Sequence, residues 1–305
     1  MKIGILFNCQ HKGLKLSLQA LLPRDEVYSV GLPTRTGPRD AFDRALAQLT
    51  ACDIIVAVPA SSRNVLGEAL QAAGARMVTV PSVAFTGYHP DTINIIGDGG
   101  KLAGPTGLLH SRIAVAAFLG GLSAPDTADL YNRMIFKRLG YIDDFSMQQS
   151  LLHERFSRHG IDVTQAAAQW HAQGCFMHNF THPKAVALFG LGQLVCGVLG
   201  LAADPGAVIP PDTLADHASH PVHPDLAAAF GVQPETHFRA GARRGDSQLL
   251  SLDEYLAQSF TQYAATPRAD LLTADGLAAA AAAIGVALPD APRARERILE
   301  EAESE

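Results

Sequence analysis

Short apolar runs alternate with helical repeats over the first third of the chain, and few folds accommodate that alternation. Residues 2–7, 27–32, 53–58, 76–80 and 92–96 read as strands rich in valine and isoleucine. Between them Phe42, Ala45, Leu46 and Leu49 recur at helical spacing, as do Val65, Leu66, Ala69, Leu70 and Ala73, with Gly74 placed to end that helix. Strand and helix in repetition build a mostly parallel sheet covered by helices. After about residue 107 the pattern turns helical. Ser123 with Asp126, Ser146 with Gln149, and Ser251 with Glu254 have the spacing of an N-cap and its partner. Pro183 suits the first turn of an apolar helix reaching to about Leu201, with His182 as its N-cap. The alanine run at 278–283 favours helix. The expected class is therefore α/β: an N-terminal, mostly parallel, Rossmann-like sheet with helices, then a mainly helical C-terminal half. The division is expected at 1–110 and 111–305, with a long loop near 203–245 and a charged, acidic helix or frayed tail over 293–305.

The first strand runs straight into Asn8-Cys9-Gln10. Carboxyl ends of strands face the ligand crevice of an α/β sheet, so Cys9 stands where a substrate arrives. A helix starting near Gly13 would favour the thiolate through its N–H groups and dipole. Asn8 and Gln10 add amide donors for a developing oxyanion. The arrangement resembles a nucleophile elbow with cysteine for serine, without that motif's flanking glycines. The structural alternative is a small cysteine filling space at a strand end.

Candidate bases stand in three of the histidine-bearing segments. Gly87-Tyr88-His89-Pro90-Asp91 is turn-like, and Asp91 there could orient an imidazole or merely bond backbone. Gly107-Leu108-Leu109-His110-Ser111 enters an apolar helix for which Ser111 could be the N-cap. The third is Thr181-His182-Pro183. His217, His220 and His223 recur at intervals of three, and His171, His178 and His182 lie near one another, but neither set matches a zinc pattern, and no metal is expected. No glycine-rich dinucleotide or P-loop signature follows the first strand.

The chain has 305 residues, 48% of them hydrophobic, enough for one large core or two modest ones. Its start lacks a signal-peptide pattern, and the apolar tract at 185–203 is interrupted by Gln193 and glycines, so no membrane span is expected and the protein is read as cytoplasmic. The four cysteines form no CxxC pair and are read as reduced thiols. A formal charge of −6 without a basic run argues against nucleic acid. Lys12, Lys15, Arg63, Lys101 and Arg112 remain as local charges able to meet a phosphorylated cofactor.

Together, Asn8-Cys9-Gln10, Gly87-Tyr88-His89-Pro90-Asp91, Gly107 with His110-Ser111, and Thr181-His182-Pro183 resemble the WcbI-type polysaccharide biosynthesis family of acetyltransferases, over residues 1 to roughly 200. Phe7 stands where members usually have glycine. The resemblance implies coenzyme A, with acetyl-CoA as acyl donor, and a sugar or polysaccharide acceptor in bacterial capsule biosynthesis. It also implies one pocket holding Cys9, Gln10, His89, His110, Ser111 and His182. In this reading Cys9 is the reacting thiol and a histidine, His110 ahead of His182 and His89, is the base. Asn8, Gln10, Ser111, Tyr88 and Asp91 contact substrate or oxyanion, and Lys12, Arg63 and Arg112 hold the cofactor. The alternatives are a cysteine-dependent SGNH-like hydrolase, in which water replaces the sugar, and a non-catalytic glycan-biosynthesis binding protein. A homo-oligomer is left open.

Overall fold

The computed structural model describes residues 1–32, 39–241 and 248–290. The tail expected over 293–305 lies outside the described residues. Two compact units are formed by interleaved stretches: Met1–Tyr88 with Phe145–Asp216, and His89–Asp144 with the chain from His217 onward. The divisions thus fall elsewhere than residue 110.

The first unit is built on four parallel strands, β1 (Lys2–Phe7), β2 (Glu26–Gly31), β3 (Ile54–Ala57) and β4 (Met77–Thr79), in the order β2-β1-β3-β4. Helices α1 (His11–Leu21), α2 (Arg39–Thr50) and α3 (Val65–Ala72) make the connections. Ile3, Ile5, Leu6 and Phe7 are fully buried, which explains the unbroken apolar run of a strand covered on both faces. The chain first adds β2 on one side of β1 and then crosses to add β3 on the other. The carboxyl ends of β1 and β3 therefore flank the topological switch point, where α/β sheets of this kind bind ligands. The fifth expected strand does not join this sheet. Within residues 92–96, Thr92–Ile93 pairs antiparallel with His110–Ser111 in the second unit, and Ile96 opens a short antiparallel pair with Lys101.

Further on, the second unit contributes α4 (Arg112–Leu119), α5 (Ala124–Ala128) and α6 (Arg133–Arg138). The chain returns to the first unit for α7 (Phe145–Ser157), α8 (Thr164–Ala172) and α9 (Ala185–Leu199). It ends, within the described residues, with α10 (Pro224–Phe230), α11 (Leu252–Ala264), α12 (Arg268–Leu271) and α13 (Leu277–Ile284). The mainly helical second half is thus observed, and α10 shortens the expected loop at 203–245. Ser123 caps α5, and Ser251 with Glu254 closes a capping box on α11. Ser146 lies inside α7 instead of capping it. No helix among the described residues is long and apolar enough to cross a membrane.

Glycines set the close approaches. Gly13 of α1 meets Leu188 of α9, while Ser17 and Leu21 meet Gly192, so α1 and α9 run in the same direction. Both therefore begin at the carboxyl edge of the sheet. Gly67 of α3 packs on the turn Pro59–Arg63 that follows β3, where a Cβ would stand 2.0 Å from the Ser61 carbonyl oxygen. Because that obstacle is backbone, Gly67→Ala is expected to destabilise the protein by about 3 kcal/mol in urea unfolding. An unchanged midpoint would show that the turn gives way freely.

Candidate functional site

The turn after β1 is held by its own polar groups. Asn8 accepts from the Gln10 amide through Oδ1 (3.1 Å) and from His11 N–H through its carbonyl (3.1 Å). This leaves the Asn8 Nδ2 hydrogens as that side chain's donors. Between these anchors Cys9 is exposed at the switch point. Its surroundings are nonetheless dense enough that burial pushes the thiol up from its ordinary value, while the N–H groups of Cys9 and Gln10 pull it back part of the way. The helix-start argument is therefore present but outweighed.

Gln10 is buried, and its amide is fully engaged. Nε2 donates to the carbonyls of Val83 (2.7 Å) and Thr181 (3.0 Å), and Oε1 accepts from Val83 N–H (3.1 Å). With both hydrogens committed, Gln10 ties the Cys9 turn to the Thr181-His182 turn and is not an oxyanion donor. That second turn joins the short strands Met177–Asn179 and His182–Pro183. Asn179 Oδ1 accepts from Thr181 N–H (2.9 Å), the Thr181 hydroxyl (3.2 Å) and His182 N–H (3.0 Å), and its Nδ2 lies 3.0 Å from His182 Nδ1.

His182 does not cap α9. The cap residue is Lys184, and the Ala185 N–H is met by Asp212 Oδ2 (3.0 Å), which also accepts from His178 Nε2 (2.9 Å). Burial raises the Asp212 carboxyl, but the bonds from His178, Leu214 and Ala185 outweigh it and hold it below the ordinary carboxylate value.

Positive charge gathers at the start of α1. No acidic residue occupies its first turn, and no side chain caps it. Lys12, Lys15 and Arg63 form no ion pair among the described residues. His11, which bonds Ser29 Oγ through Nδ1 (3.2 Å), is lowered by burial and then by Lys12 and Lys15.

The remaining sequence candidates have partners within their own units. Tyr88 donates to or accepts from His171 Nδ1 (2.6 Å) within an aromatic core with Phe85, Phe145 and Phe176, and burial pushes its phenol well up. His89, Asp91, His110, Ser111 and Arg112 belong to the second unit. Asp91 Oδ1 accepts from Ile113 N–H and Tyr141 Oη, and its burial raises the carboxyl despite Ser111, Arg112, Ile113 and Tyr141. Ser111 is the N-cap of α4, accepting from Ala114 N–H, and bonds Tyr131 Oη. Arg112 donates to the carbonyls of Asp275 and Pro90 and to Tyr141 Oη. His110 is buried, with Nε2 on the Leu102 carbonyl (3.2 Å) and Nδ1 on Tyr263 Oη (3.2 Å), and burial lowers it. His89 is also buried, and its carbonyl accepts from Thr92 N–H. Among the described residues no group of three or more histidines, cysteines or carboxylates is arranged to hold a metal ion.

Comparison with known proteins adds to this geometry. The family model for the polysaccharide biosynthesis enzyme WcbI matches residues 2–204. The chain belongs to the WcbI family of polysaccharide biosynthesis enzymes. A solved WcbI structure, described as the native protein without a disulfide bond between coenzyme A and one of its cysteines, has a TM-score of 0.70 at 16% identity. It aligns over 89% of this chain and 92% of its own. That likeness establishes the shared fold. A search of curated protein sequences found no match.

Within this WcbI-family chain, sequence reasoning overlooked three residues at the Cys9 edge. His11 was legible as a histidine two residues after the cysteine. Asn179 and Asp212 carried no local signal, because each acts through partners that only the fold brings to it.

Proposed function

We propose that the protein is a coenzyme A-dependent acyltransferase that moves an acetyl group from acetyl-CoA to a sugar hydroxyl in bacterial capsular polysaccharide biosynthesis. The observation that carries this reading is the exposed Cys9 at the sheet's switch point, tied through Gln10 to the turn bearing His182.

The donor set fits coenzyme A in kind. Lys12 and Lys15, at a helix start that carries no opposing carboxylate, and Arg63, at the end of the turn that follows β3, offer cations to its phosphates. When bound, acetyl-CoA supplies an acyl group already activated as a thioester. Cys9 supplies a sulfur of matched reactivity, able either to carry the acyl group or to border its carbonyl. Asn8 Nδ2 offers a hydrogen bond to a developing oxyanion. His11, kept neutral by burial and by its lysine neighbours, is available as a base toward an acceptor hydroxyl. The neighbour's description, which names coenzyme A together with one of its cysteines while stating that no disulfide joins them, supports looking to Cys9.

Calorimetric titration with coenzyme A and acetyl-CoA, followed by acetyl-transfer assays over a panel of sugars, tests the proposal. Specific binding and acceptor-dependent release of coenzyme A are expected. Lys12→Glu is expected to weaken coenzyme A binding about tenfold, the worth of one charge-assisted contact. The same difference should shrink as salt is raised. Absence of binding by folded protein would overturn the reading, and release unaffected by any sugar would replace it with hydrolysis.

A further inference from the structure

We infer that Asn179 is a positioning residue that fixes His182 as the tautomer protonated at Nε2, so that His182 works as a hydrogen-bond donor and not as the base. The chemical role rests on the acyl-transfer reading above, whereas the tautomer follows from geometry alone.

The orientation of the Asn179 amide decides the matter. Its side chain is almost fully buried, and one end faces three donors: Thr181 N–H, the Thr181 hydroxyl and His182 N–H, at 2.9, 3.2 and 3.0 Å. Two of these are backbone N–H groups that cannot accept. The end facing them must therefore be the carbonyl oxygen, since a flipped amide would set N–H against N–H. The NH₂ end is then the one 3.0 Å from His182 Nδ1. Nδ2 can only donate, so Nδ1 must accept, and a neutral ring carries its single proton on Nε2. A second ring proton on Nδ1 would meet the amide's own hydrogens.

The consequence for the proposed reaction is a division of labour. A neutral imidazole with Nε2–H stabilises negative charge on a carbonyl oxygen or a sulfur, but it has no lone pair there to take a proton. Proton removal from the acceptor hydroxyl then falls to another group. Gln10 places this donor's turn beside Cys9 by bonding Thr181, the residue next to His182. The amide of Asn179 does for His182 the opposite of what a carboxylate does for a catalytic base, which it holds with Nδ1 protonated and Nε2 open.

The test is long-range ¹H–¹⁵N correlation NMR on the ¹⁵N-labelled full chain at neutral pH, with His182 assigned by its loss in His182→Gln. Wild type is expected to show a pyridine-like Nδ1 and a pyrrole-like Nε2 for His182. The reverse pattern, or rapid averaging between the two tautomers, would overturn the inference whatever the protein's activity. Asn179→Asp keeps an oxygen on the three donors and turns the other end from donor to acceptor. It is expected to move the ring proton to Nδ1 or to add one there. Acetyl transfer should fall by about 10²-fold in kcat, the worth of one oxyanion donor, with KM for acetyl-CoA little changed. A His182 spectrum unaltered in a folded Asn179→Asp protein would also sink the assignment. The wild-type spectrum decides the question even if that variant does not fold.

Discussion

Cys9→Ala is expected to lower acetyl-transfer turnover by about 10³-fold or more while leaving the unfolding free energy within about half a kcal/mol of wild type. The two halves of this expectation come from different facts. The thiol is exposed and forms no hydrogen bond through its sulfur that the fold depends on, so its removal leaves the turn's anchors, Asn8 and Gln10, in place. Chemically it is the sulfur that directly follows β1 at the switch point. Cys9→Ser then separates the two routes: turnover equal to wild type would exclude an acyl group carried on Cys9. The pH dependence follows from the burial that raises the thiol, since the neutral form is held to higher pH than in a free cysteine. Alkylation of Cys9 by iodoacetamide should therefore rise tenfold per pH unit through neutrality and level off only above the ordinary thiol value. A plateau below that value would show that the local N–H groups win over burial.

The alternation that built the parallel sheet was legible because it is local. Valine and isoleucine runs, helical spacing and a stop at Gly74, whose φ is +72°, each involve neighbours in sequence. The capping box of Ser251 and Glu254 was legible for the same reason. Misreadings arose where distant partners decide. Residues 92–96 have strand composition, but β4 ends the sheet and Thr92–Ile93 finds its partner in His110–Ser111. Pro183 resembles a first-turn proline, yet Asp212, from much further along, meets the first helical N–H at Ala185. The site divides in the same way. The strand preceding Cys9 announced the thiol's position from sequence. The use of Gln10 could not be read there, because one partner of its amide, Val83, lies in a segment without a distinguishing pattern, and the other, Thr181, stood out for the histidine beside it and not for its carbonyl. His110 and Ser111 stood out as polar residues at a helix entrance, and in the fold that entrance is where their side chains are engaged.

Gln10→Glu is expected to reverse the usual acid sensitivity of the fold. The substitution keeps the side chain's shape, and one carboxyl oxygen can still accept from Val83 N–H. The other would stand where Nε2 now lies, 2.7 and 3.0 Å from two carbonyl oxygens. An ionised carboxylate there faces only acceptors, whereas a protonated one donates to one of them. The folded-state pKa must therefore lie above the value of about 4.3 that the glutamate has in the unfolded chain. A group with its folded value raised holds its stabilising proton at low pH and loses it as pH climbs through that value. The difference in thermal midpoint from wild type should accordingly be largest at pH 7 and above, and narrow as pH falls toward 4. At pH 7 a loss of about 3 kcal/mol is expected, the cost of a buried acceptor left facing acceptors. Gln10→Ala removes the same bonds without adding charge, so its loss should be of similar size but independent of pH. A pH-independent deficit in Gln10→Glu would mean that water reaches the amide, and that the Cys9 and His182 turns are joined more loosely than this clamp requires.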